Sequence, residues 1–156
     1  MLRERSGSVE CRLAGSTLTA TIPYGKRAET LPELFEPRSL IPDELVTANR
    51  QHDAAIQLAD SVAGTLRLEQ SDDGLAVEID VRGATLELAR RGALTGMSPE
   101  FISLDETTID GLRRISRARL VGIGVVDVPA YAAPISVRAD PGADRLRARR
   151  IGLGLA

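Results

Sequence analysis

Two side chains of this chain have the types needed to do chemistry together. Ser98 lies in Gly96-Met97-Ser98-Pro99, and His52, in Gln51-His52-Asp53, is the protein's one imidazole. Glycine at 96 lets another backbone come close, and Pro99 sets the exit direction while removing an amide donor. That is a fitting mount for a nucleophilic hydroxyl. A serine hydroxyl is almost fully protonated near neutral pH and needs a base beside it to attack a carbonyl. If Ser98 is such a nucleophile, His52 is the only histidine available. Each residue also has a plainer reading. A Ser-Pro step is most often a turn, and a lone histidine is most often exposed or a satisfied core residue.

The other reactive types are weaker candidates. Cys11 sits mid-strand without flanking glycine, the setting of a buried, inert thiol. One His and one Cys, with no H-E-x-x-H or C-x-x-C pattern, leave no metal site to expect. No cofactor is expected either. Gly122-Ile123-Gly124 lacks the third glycine and the following helix of a dinucleotide loop. Gly152-Leu153-Gly154 runs straight into the last residues. The arginines at 145, 147, 149 and 150 read most simply as a solvated tail, with a docking arm as the second reading.

Composition narrows the class. At 156 residues the chain is expected to form one domain. Its 43% apolar and 27% charged content is that of a soluble globular protein. A net charge of -2 argues against a general nucleic-acid binder. Lys26 is the one lysine among the basic residues, which reflects a GC-rich coding genome more simply than phosphate binding. A single cysteine excludes an internal disulfide and fits a reducing compartment. No stretch nears the roughly 18 apolar residues of a membrane span, and the first six residues carry no signal-peptide core. Action in the cytoplasm, away from membranes, is the expectation.

Around the two residues, alternation predicts many short strands. A hairpin is expected over residues 8–22, a strand over 46–53, and a hairpin joining 61–70 to 75–81 through Ser71-Asp72-Asp73-Gly74. Helix formers over 84–91, stopped by Gly92, predict a short helix feeding the serine segment. A second short helix or turn is expected over 38–44. Further strands are expected over 101–104, 112–119 and 120–128, the last buried on both faces, with a last short one over 135–137. The tail reads as a helix over 143–150 or as disordered. The expected fold class is α+β: a small, mostly antiparallel β-barrel with a few short flanking helices. Residues 8–138 are expected to form the domain and residues 139–156 an Arg/Ala/Gly-rich tail.

In this order and spacing the chain resembles the phage prohead maturation proteases, distantly similar in fold to the herpesvirus assemblin proteases. The resemblance runs from about Gly15 to Val137. It is carried by Ile22-Pro23-Tyr24-Gly25, Leu34-Phe35-Glu36-Pro37, Gln51-His52-Asp53 and the hairpin with Asp72-Asp73-Gly74. Gly92-Ala93-Leu94-Thr95-Gly96-Met97-Ser98 with Phe101, and the run from Leu120 to Tyr131, complete it. It implies a serine endopeptidase, with His52 as base and Ser98 as nucleophile, that cleaves capsid scaffold or delta-domain segments and itself. The implied partners are the major capsid protein and its scaffold, with self-association possible and no nucleic acid. The implied place is the immature capsid in the host cytoplasm. The loop at Pro129-Ala130-Tyr131 is implied as the oxyanion site, through the Ala130 or Tyr131 amide because proline has none to donate.

One departure stands against the pattern. Where related proteases carry an acid, or in the herpesvirus enzymes a second histidine, on the penultimate strand, this chain has Gly122. The residue orienting His52 is therefore open: Asp127 is preferred, then Asp53, then Glu100, or a water. A weak or inactive protease-fold assembly factor that binds shell or scaffold is the alternative this glycine raises. An unrelated β-barrel binding module, with Ser98 and His52 far apart, is the other.

Overall fold

Alternating apolar residues build most of the chain into strands, and the computed structural model describes residues 15–139. Nine strands form among these residues: β1 (Ser16–Pro23), β2 (Glu33–Phe35), β3 (Leu40–Arg50), β4 (Asp53–Asp60), β5 (Leu66–Gln70), β6 (Gly74–Val81), β7 (Gly96–Ile109), β8 (Leu112–Val126) and β9 (Ser136–Ala139). One helix, α1 (Gly83–Arg90), stands between β6 and β7. Four strands make a sheet in the order β5-β6-β1-β9. In the second sheet β8 pairs β7 along one edge, and β2 and then β3 along the other, with β4 outside β3. The core lies between the sheets. Leu18, Ile22, Leu75, Val77 and Ile79 come from the first, and Leu40, Val46, Met97, Ile115, Leu120, Ile123 and Val125 from the second.

The barrel with several flanking helices is not what forms; the fold is mostly β, with one helix among the described residues and no closed sheet. The first sheet ends at β5 and β9, the second at β7 and β4. Between the start of β7 and the segment before β9 there is a single bridge, Gly96 to Pro134. Closure needs a continuous, staggered ladder, and one bridge does not make it. Strand length was also underestimated, because β7 and β8 run 14 and 15 residues through positions read as separate pieces.

The helix or turn expected over 38–44 is a turn followed by the start of β3. Leu40 is fully buried, and Leu40 to Pro42 pair in parallel with Ala118 to Leu120. Pro42 is tolerated inside that strand because β4 begins to pair β3 only at Thr47, so no neighbour on that side needs its missing amide. The expected hairpin forms as β5 and β6 about its Ser71–Gly74 turn, but its first strand begins only at Leu66, because residues 61–64 turn the chain out of β4. The helix before Gly92 forms too, and that glycine takes φ +80. The strand read before Gly15 and the helix read over 143–150 lie outside the described residues.

Phe35 ties the sheets to the loop after β8. Fully buried, it meets Phe101 edge-on at 4.8 Å between ring centroids and Tyr131 at 4.9 Å. Its truncation leaves a cavity that rigid strands on both sides fill poorly. Phe35→Ala is expected to lower the unfolding free energy by about 3–5 kcal/mol, read as a shift of the urea midpoint.

Candidate active site

The site is built on the outer face of the second sheet, where β8 is flanked by β3 and β7. Side chains at every second position of a strand share a face. Ile123 and Val125 turn into the core, so Gly122 and Gly124 lie on the opposite face. Across the strands, Asn49, Gly124 and Ser98 form one row, and Thr47, Gly122 and Glu100 the next. Ser98 and Glu100 therefore share a face of β7, with Met97 and Phe101 on its core side. The expectation that residues 120–128 are buried on both faces holds as far as Val126, with Asp127 and Val128 exposed, and not because of an apolar run alone. The outer positions of β8 are bare, and polar side chains from neighbouring elements lie over them.

His52 arrives on this face from the β3–β4 connection. Arg50 pairs Asp53, so Gln51 and His52 form a two-residue hairpin loop with φ of +57 and +58. Both positions positive is the I′ arrangement normally filled by Asn-Gly. For residues with a Cβ it carries strain on the order of 1–3 kcal/mol each. Tertiary bonds hold the loop in place. The Gln51 amide donates to the Val125 carbonyl at 2.8 Å, and the Gln51 side-chain oxygen accepts from the Asp127 amide at 3.0 Å. The imidazole then lies over Gly124: a Cβ there would come within 2.5 Å of Cε1 and 2.6 Å of Nδ1.

The His52 Nδ1 is 2.5 Å from Glu100 Oε2, and the same oxygen accepts from Asn49 Nδ2 at 2.9 Å. Glu100 Oε1 occupies the space above Gly122 that a side chain there would fill. A carboxylate from β7 thus lies over the position of β8 where the resemblance led an acid to be expected. With Nδ1 engaged, Nε2 is the ring nitrogen left to exchange a proton. The ring's side chain keeps 43% of its surface exposed, enough to meet a substrate. Ser98 and the imidazole are both neighbours of Gly124. No hydrogen bond joins the two side chains.

The remaining expected residues fall as follows. Asp127, preferred as the orienting acid, is exposed at the end of β8 and contributes its backbone: its amide meets Gln51 and its carbonyl accepts from Thr95 Oγ1 at 2.7 Å. The Asp53 carboxylate turns to the Ala55 amide at 2.9 Å. The structure therefore joins His52 to Glu100, the third of the three acids weighed. The loop with Ala130 and Tyr131 packs beside the start of β7. The Met97 amide donates to the Ala133 carbonyl at 3.0 Å, and Pro129 and Ala133 press on Gly96. The Ala130 carbonyl is taken by Glu29, the Tyr131 carbonyl by Ala133, and the two amides donate to no described residue. Burial, with the Glu33 carboxylate nearby, pushes the Tyr131 hydroxyl above its ordinary range and keeps it protonated. Cys11 lies outside the described residues. Asn49 was missed altogether, because an asparagine in a strand carries no local signal.

A family model described as caudovirus prohead serine protease matches residues 22–144. No curated protein and no solved structure matches the chain. No helix among the described residues is long and apolar enough to cross a membrane.

The bare strand can be tested directly. Gly124→Ala places a methyl against the half-exposed imidazole, and Gly122→Ala places one against the Glu100 carboxylate. Each is expected to reduce turnover by about 10²-fold, the scale of a 1 Å misplacement. Each is expected to leave the thermal midpoint within a few degrees of wild type, measured by peptide-bond cleavage and by calorimetry.

Proposed function

The chain belongs to the caudovirus prohead serine protease family, and from that premise we propose that Ser98 is its nucleophile, His52 its general base and Glu100 the acid that orients the base. The Ser98 Oγ attacks the scissile carbonyl while Nε2 of His52 takes its proton. The same nitrogen returns that proton to the leaving amine, and water then hydrolyses the acyl-enzyme by the reverse use of the base. Glu100 on Nδ1 fixes the tautomer and stabilises the imidazolium that forms. The observation that carries this reading is the Glu100–His52 contact over Gly122 and Gly124, in register with Ser98. The oxyanion is assigned to the free amides of Ala130 and Tyr131, each such donor contributing roughly 3 kcal/mol.

The substrates we assign are capsid-related peptides: scaffold or delta-domain segments and the protease itself, with the major capsid protein as partner. Its place of action is the procapsid within the host cell. Gly122 in place of an acid recommends a weak or inactive assembly factor as the alternative; the Glu100 carboxylate over that position supports the protease reading instead.

The decisive experiment incubates the protein with its cognate shell precursor and maps the fragments by mass. Ser98→Ala and His52→Ala are expected to abolish cleavage and fluorophosphonate labelling. Glu100→Gln is expected to lower turnover by up to about 10⁴-fold. Cleavage by Ser98→Ala at the wild-type rate would falsify the assignment.

A further inference from the structure

We infer that Asn49 is a positioning residue that aims the Glu100 carboxylate, and through it the imidazole of His52. This rests on the proposed Ser98–His52–Glu100 reading. Asn49 sits on β3 in the row of Gly124 and Ser98, is 5% exposed, and gives its Nδ2 to Glu100 Oε2 at 2.9 Å. That oxygen is the one His52 Nδ1 meets. Two donors converging on one carboxylate oxygen set the rotation of the group, so Oε2 faces the ring and Oε1 lies above Gly122. A carboxylate held by the imidazole alone would be free to turn about its terminal bond.

Two features set Asn49 apart from an ordinary buried amide. The pairing of β3 with β4 slips on both sides of it, between Ala48 and Asn49 and again between Asn49 and Arg50. Such irregularities re-aim a side chain beside active sites. Its Oδ1 is also buried with no hydrogen-bond partner among the described residues. The amide cannot be reversed to relieve this, because the oxygen would then face a carboxylate that only accepts. An unpaired buried acceptor destabilises the fold, so stability alone would favour an apolar residue of similar size here. The residue serves the site at the expense of the sheet.

Of the charged groups flanking the site, two bind other partners and one is exposed. Arg50 reaches Thr85 Oγ1 on α1 at 3.4 Å, Asp53 binds the Ala55 amide, and Asp127 is exposed beyond the end of β8. A second carboxylate at position 49 would therefore act mainly on Glu100 and His52. It would stabilise the imidazolium and raise the pH at which the base becomes neutral.

The test compares Asn49→Leu and Asn49→Asp with wild type, each also combined with Glu100→Gln, in cleavage of the shell precursor. Asn49→Leu is expected to lower kcat by about 10²-fold, to leave KM close to wild type, and to keep or raise the thermal midpoint. Its effect should largely vanish in the Glu100→Gln background. Asn49→Asp is expected to move the acid limb of kcat/KM to higher pH. If Asn49→Leu does not fold, the pH profile of Asn49→Asp decides. Wild-type kcat in Asn49→Leu, an unmoved acid limb in Asn49→Asp, or an undiminished loss in the Glu100→Gln background would each overturn the inference. Cleavage that survives Ser98→Ala would instead sink the reading it rests on, so the two failures are told apart.

Discussion

The arrangement depends on a strand stripped of side chains at two places. Gly122 and Gly124 occupy the outward positions of β8, and the space their missing Cβ atoms would take is filled by Glu100 and His52. Glycine weakens a strand interior, because it has more conformational freedom to lose and nothing to pack. Here that loss is offset by a fully apolar inner face, with Leu120, Ile123 and Val125 all buried. One face of β8 holds the sheets together, and the other is left clear for polar groups from both neighbours.

That division lets a carboxylate on β7 reach the imidazole across β8. A carboxylate needs to reach the imidazole nitrogen; it need not come from a given position in the chain. Glutamate on β7, two residues beyond the serine, reaches across the bare strand, where a side chain at 122 would exclude it. Glu100 and Ser98 then share one strand, so a single register between β7 and β8 places both. A slip of one residue would turn both to the core side together.

The imidazole is held by the opposite device, a strained turn. Gln51 and His52 both take left-handed backbone angles that glycine or asparagine would adopt more readily. The Val125 carbonyl and the Asp127 amide hold that loop to the end of β8. Asp127, expected to orient the ring, therefore contributes through its backbone amide.

Much of this was legible in the order of the residues. The β5–β6 hairpin, the short helix before Gly92, the solitary imidazole and the Gly-Met-Ser mount follow from turn chemistry, helix formers and the inventory of side chains, which are local properties. Barrel closure, the length of β7 and β8, and the choice of Glu100 over Asp127 were not legible. They depend on which strand edges meet and in what register, and pairings between distant segments leave no local mark. Asn49 was hidden for the same reason. By itself the sequence determined which groups were available for chemistry and where many, though not all, of the strands would lie. Only the tertiary structure decided which acid faces the histidine, because that choice is made by two empty positions on a strand and by the side chains that lean over them.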